Sequence, residues 1–291
     1  LTDLRIKDLA KDSAAAIATA KSILEKQPGE PVEAEASLIL GRHLFLTRSY
    51  NDARMVLEKL AATDTDPGRA QAAWLLAARS AALVPTSQSQ KDALVLFDKA
   101  IEAKGPLSPI AKLEKARLQI DMNRLSDAAG MLGKWFATMP TTDPLHLPAG
   151  LLLGEATYAL GGARPESLAE ALAVYDKLLV HAEKQPAIFN RLQYLRGLTL
   201  EKMPDAKDPS RKRSSEAFIA YYSVLEAENP PAEWEYFEKC GKKALELLEN
   251  AKRWPAAVGC AKKIASFNSP NSKDFASHAS QLQLKHMIWE D

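Results

Sequence analysis

Small and large apolar residues recur along this chain with the period of an amphipathic helix, and the pattern itself recurs. Seven alanines (Ala16, Ala53, Ala93, Ala128, Ala171, Ala217 and Ala257) are each followed, seven and eight places later, by a pair that is mostly large and apolar, from Ile23/Leu24 and Leu60/Ala61 to Val224/Leu225 and Ile264/Ala265. Residues so spaced share one helix face, and bulky residues four places after the anchor (Leu57, Phe97, Leu132, Tyr175, Tyr221) extend it by one turn. The anchors stand 37, 40, 35, 43, 46 and 40 residues apart. Each interval has room for two helices and a connection, so the spacing predicts one helix pair used again and again. Long runs of alternating β-branched residues are missing, and the expected class is all-α. In a stack of such pairs only neighbours touch, and what the stack presents is an elongated surface.

The helix in front of each anchor carries a second pattern. Leu40-Gly41-Arg42-His43-Leu44 precedes Tyr50 and Ala53, Leu153-Gly154 repeats the Leu-Gly element before Tyr158, and Tyr194-Leu195-Arg196-Gly197 follows suit. Tyr50, Leu125 and Trp254 supply a bulky residue three places before their alanines. A Gly or Ala where two antiparallel helices cross leaves room for a large side chain from the other, and a larger residue there would overpack by about 1–3 kcal/mol. This arrangement resembles the tetratricopeptide repeat (TPR) in an irregular bacterial form, with intervals longer than that family's standard unit. The resemblance implies a right-handed superhelical α-solenoid of antiparallel helix pairs, about seven units and a C-terminal capping helix.

The expected organisation is a single solenoid over 1–291, with an incomplete first unit in 1–30, six helix pairs in 31–267 and a capping helix in 271–290. Phe275, Leu282, Leu284, Met287, Ile288 and Trp289 are available on that helix to cover the last unit's apolar face. Val84 to Gln90, Met139 to Pro148, Gly161 to Ser167 and Met203 to Ser215 read as loops, with Gly161-Gly162 a helix-ending turn. The chain starts at Leu1 without methionine, from which we expect that a piece upstream was removed by signal processing or truncation.

Composition narrows the function classes. Lys plus Arg number 38 and Asp plus Glu 37, a net +1, which supplies no global field to gather nucleic acid or an anionic membrane. No apolar run is long enough to span a bilayer. Cys240 and Cys260 fall on the two helices of the last pair and read as buried thiols, matching no metal motif. No phosphate loop, HExxH or GxSxG occurs, and the five histidines (His43, His146, His181, His278, His286) are scattered over different units, so no catalytic group, metal or cofactor is expected. The basic run from Lys207 to Arg213 reads as a solvated turn into a helix starting near Ser214.

In the family this chain resembles, the first helix of each unit lines a concave groove. Carrying those positions over gives Leu38, Arg42 and Phe45, then Trp74, then Leu113 and Arg117, then Leu151, Glu155 and Tyr158, and finally Arg191 and Tyr194. Arg, Tyr and Trp combine contact area with a directed polar group and often dominate interfaces. The expected function is a non-enzymatic scaffold for a peptide or protein partner. Two alternatives are a bacterial cell-envelope assembly factor, with a periplasmic or envelope location favoured over a cytoplasmic one, and the repeat region of a larger enzyme or regulator.

Overall fold

Helices begin where the chain supplies a cap or a proline. Asp12 accepts a hydrogen bond from the Ala15 amide (3.1 Å), Asp66 from Arg69 (2.8 Å) and Thr86 from Ser89 (3.2 Å). Pro67, Pro109, Pro186 and Pro255 occupy first-turn positions, where a missing N–H costs nothing. The computed structural model describes residues 1–182, 185–205, 208–210, 212–226 and 233–288. Among them the helices run α1 (Thr2–Leu9), α2 (Ser13–Glu25), α3 (Val32–Leu46), α4 (Tyr50–Thr63), α5 (Pro67–Leu83), α6 (Ser87–Glu102), α7 (Ser108–Asp121) and α8 (Leu125–Thr138). They continue as α9 (His146–Leu160), α10 (Glu166–Ala182), α11 (Pro186–Lys202), α12 (Ser214–Tyr222, extended by a 3-10 turn over Ser223–Glu226), α13 (Glu235–Asn250), α14 (Trp254–Ser266) and α15 (Ser272–His286). The described residues contain no strand beyond an isolated bridge between Pro204 and Lys212.

Two compact units make up the chain, Leu1–Lys134 and Trp135–Asp291. Within each, helices pack on one another in chain order, and first helices also touch the next first helix, α3 on α5 in one unit and α11 on α13 in the other. That is α-solenoid packing, and the described helices make seven pairs followed by α15.

Every anchor alanine lies on the second helix of its pair and is 0 % exposed. The small residue opposite does what the sequence suggests. A Cβ on Gly41 would lie 2.5 Å from Leu57 Cδ2, one on Gly154 would lie 2.7 Å from Tyr175 Cζ, and one on Gly197 would lie 2.7 Å from Tyr221 Cδ1. In each case the intruding side chain stands four residues after the anchor. In the last pair that position is Ala261, and Ile264 takes over at 2.8 Å from a Cβ on Gly241.

The turns inside four pairs share a feature the sequence conceals. Lys11, Arg48, Asn123 and Lys252, each five residues before an anchor, adopt positive φ (57°, 63°, 57° and 56°). The next residue's amide reaches back five positions, Asp12 to Lys7, Ser49 to Leu44, Arg124 to Gln119 and Arg253 to Leu248, at 2.7–3.1 Å. These are Schellman turns made without glycine, and they direct the chain into the second helix.

Several expected boundaries shift. Ser87–Gln90, His146–Pro148, Glu166–Ser167 and Ser214–Ser215, read as loop, form the first turns of α6, α9, α10 and α12. Ser, Glu and Pro in a first turn are compatible with a helix because those amides have no intrahelical partner. The capping helix is shorter than 271–290: Met287 takes a left-handed conformation (φ 52°) and ends it. Leu282 is buried, and Phe275 and Ile288 pack on the second unit's core, whereas Leu284 and Met287 are 69 % and 78 % exposed. Trp289 and Glu290 lie outside the described residues, as do Lys207 and Arg211 of the basic run. Cys240 and Cys260 are free and buried, and burial pushes the Cys260 thiol up to about 12 and Cys240 higher still.

Candidate functional site

Charged side chains connect successive first helices. In the first unit Arg5 on α1 holds Glu35 on α3 through two contacts of 2.5 Å, and Arg79 on α5 holds Glu114 on α7 at 2.8 and 2.5 Å. Arg42 pairs with Asp8, so this predicted groove residue ties α3 back to α1. Asp8 also meets His43 Nε2 at 2.9 Å, while His43 Nδ1 meets Ser13 Oγ at 2.9 Å. Asp, His and Ser stand in line as in a hydrolytic triad, but the imidazole is only 1 % exposed and Asp8 is shared with Arg42; the line joins α1, α2 and α3.

The other predicted residues of the first unit divide. Leu38 and Phe45 pack on the core, with Phe45 edge-on to Tyr50 of its own hairpin at 5.6 Å. Trp74 also faces its own hairpin, where Lys99 Nζ of α6 lies 4.1 Å from the ring centroid. Arg117 is exposed on α7.

In the second unit four of the five predicted residues, all but Leu151, lie on one strip. Glu155 on α9 accepts a hydrogen bond from Arg191 Nη2 on α11 at 2.5 Å, and Lys202 Nζ lies 3.9 Å from the Tyr158 ring. Tyr194, one turn beyond Arg191, has Tyr221 at 6.1 Å and Tyr236 of α13 at 5.7 Å. Lys239 covers Tyr236 at 4.8 Å and Tyr194 at 5.8 Å. Behind this strip the Tyr221 hydroxyl donates to Glu201 at 2.5 Å, and Glu201 also meets Lys243 of α13 at 3.5 Å. Burial raises the Tyr194 phenol above its ordinary value, and burial together with the Glu201 bond raises Tyr221. Three first helices therefore contribute a charged and an aromatic residue at i and i+3: Glu155/Tyr158, Arg191/Tyr194 and Tyr236/Lys239. Tyr236 and Lys239 were missed in the sequence because α13 carries no Leu-Gly element to set its register; the i, i+3 spacing was the available signal.

The histidines are less scattered than their sequence positions imply. His146 and His181 meet edge to face at 6.1 Å beside a cavity of about 300 Å³, and burial, then Lys177 and His181, depress the His146 pKa. Their fellow residues His278 and His286 diverge, one on Glu249 at 2.7 Å and the other stacked on Trp254 at 3.8 Å. Among the described residues no group of three His, Cys, Asp or Glu side chains could hold a metal ion, and no helix is long and apolar enough to cross a membrane.

Helix pairs in chain order, a buried alanine on the second helix of each pair, glycines at four of the crossings and cross-linked first helices define a TPR-like helical-repeat fold. Comparison with solved structures agrees: a tetratricopeptide repeat protein from Parabacteroides merdae superposes with a TM-score of 0.52 and 13 % identity, covering 97 % of this chain and 96 % of that one. At that identity the likeness shows the fold alone. A computationally designed self-assembling cyclic homo-oligomer, 12 % identical over 95 % of this chain and 79 % of that one, has a TM-score of 0.12 and carries no argument. No family model and no curated protein matches the chain.

Proposed function

We propose that this chain is a non-enzymatic interaction scaffold that holds a peptide or partner protein against its first helices. The observation that supports this reading best is the strip on α9, α11 and α13, where Glu155, Arg191, Tyr236, Tyr194 and Lys239 form one connected set of rings and charges, with Tyr158 one turn from Glu155 on α9 under Lys202. Rings held by neighbours lose little freedom on binding, and the nearby charges give orientation. Leu38, Arg42, Phe45, Trp74 and Arg117 are the corresponding candidates in the first unit. A near-zero net charge favours a protein partner over nucleic acid.

Tyr158→Ala combined with Tyr236→Ala tests the strip, because neither ring is fully buried and neither bears an interhelix hydrogen bond given above. Affinity capture from the native organism should return the partner with the unaltered protein and lose it with the double variant, at unchanged circular dichroism. An identical set of captured proteins would refute the strip as the binding surface.

A further inference from the structure

Beside the strip, α13 and α15 leave a cleft whose construction indicates what it takes. α15 packs on α14, and two ties link it to α13. Glu238 accepts from the Asn271 amide at 2.9 Å and from its side-chain amide at 2.5 Å, and Glu249 meets His278 Nε2 at 2.7 Å. Glu238 and Glu249 are three turns apart on α13 and Asn271 and His278 two turns apart on α15, so at 1.5 Å per residue the ties are separated by about 16 Å on one helix and about 10 Å on the other. Between the helices lies a volume of about 790 Å³. Leu245 of α13 and Phe275 of α15 line it with apolar surface. Around them stand five carboxylates, among them Glu246 and Asp274, against two lysines and His278. Lys239 is committed to Glu235 and to the rings of Tyr194 and Tyr236, and Glu246 meets Lys243 at 3.2 Å; five carboxylates against the two lining lysines and Lys243 still leave the rim acidic. Glu246 and Asp274 are exposed at the rim, on opposite helices.

An apolar floor beneath an acidic rim suits side chains with an aliphatic stem and a cationic head, which bury the one and present the other. We propose that the α13–α15 cleft binds a basic segment of a partner protein in which Lys or Arg alternates with aliphatic residues. The proposal rests on the scaffold reading and names its partner's chemistry. A length of about 10–16 Å accommodates roughly three to five extended residues at about 3.3 Å each. Lys239 lines the cleft and also covers Tyr236, so the cleft continues the α9–α11–α13 strip by one more helix.

The test uses the full chain and a fluorescein-labelled synthetic peptide of alternating lysine and leucine, with glutamate-leucine as its counterpart, read by fluorescence anisotropy. The cationic peptide should bind and the anionic one should not, with binding weakening as salt rises. Glu246→Lys with Asp274→Lys should weaken it by about tenfold or more, since both charges reverse against the same ligand. Circular dichroism should be unchanged, because both residues are exposed. Equal binding of the two peptides, or undiminished binding by the charge-reversed variant, would overturn the proposal. So would sedimentation showing a dimer that the charge reversal dissociates, with no peptide bound, which would give the cleft to a second copy of the chain. Unchanged native capture by the Tyr158→Ala/Tyr236→Ala protein refutes the strip alone, whereas peptide anisotropy on the unaltered chain and on the charge-reversed variant reads the cleft alone, so the two failures are separate results.

Discussion

Adding one methyl group should change stability in opposite directions at two classes of glycine. At Gly197 a Cβ would lie 2.7 Å from Tyr221 Cδ1, with two further ring carbons of Tyr221 closer still. That ring is 0 % exposed and its hydroxyl is held by Glu201 at 2.5 Å, so it cannot swing aside as a flexible chain end would. Overpacking of this kind costs about 1–3 kcal/mol, with the rigid ring at the upper end. Replacing Gly by Ala inside a helix returns about 1 kcal/mol. Gly197→Ala should therefore lose about 2 kcal/mol net. Gly130 and Gly259 are also helical, but a Cβ on either meets nothing within 4 Å. There only the propensity gain of up to about 1 kcal/mol operates. Thermal melting followed by circular dichroism, at about 2–4 °C per kcal/mol for a chain of this order, separates the two signs. Hydrogen exchange then locates the loss, which in a structure of nearest-neighbour contacts should concentrate in α11 and α12. A Gly197→Ala protein as stable as the parent, or a Gly259→Ala protein that melts lower, would refute the crossing-point argument.

Two further expectations concern backbone and charge. Lys252→Gly should stabilise modestly, because the left-handed conformation costs a non-glycine residue about 1–2 kcal/mol while glycine's extra unfolded-state freedom takes back roughly 0.5–1 kcal/mol; a lower melting temperature contradicts it. Stability should fall in acid. Glu35 beside Arg5, Asp92 beside Arg54 and Glu216 beside Arg213 are all held below their ordinary carboxylate values by those guanidinium groups. A depressed pKa gives stabilisation that is present above the unfolded value and disappears as pH falls through the folded one, so the melting temperature should hold near neutrality and drop below about pH 4. A flat profile down to pH 3 would show these pairs to be energetically silent, as exposed pairs often are.

The repeat was legible in the sequence because it depends on local periodicity. Ala16 through Ala257 mark a helix face that must be buried, and the Leu-Gly elements mark where another helix comes close; both follow from side-chain size and the helical period, which neighbours in sequence already specify. The final helix after the seventh pair was legible for the same reason, since Phe275 and Leu282 share its apolar face. The Schellman turns were not. Lys11, Arg48, Asn123 and Lys252 share no residue type, and what places them in the left-handed region is the return of the chain onto a second helix whose packing outweighs the local cost. The meeting of His146 with His181, the inward turn of Trp74 towards Lys99, and the ties from Glu238 and Glu249 on α13 to α15 were equally invisible. Each depends on the rotation and distance between helices, quantities fixed by many contacts between residues remote in sequence. A single helix's pattern shows which face is apolar; it does not show what will lie across from it.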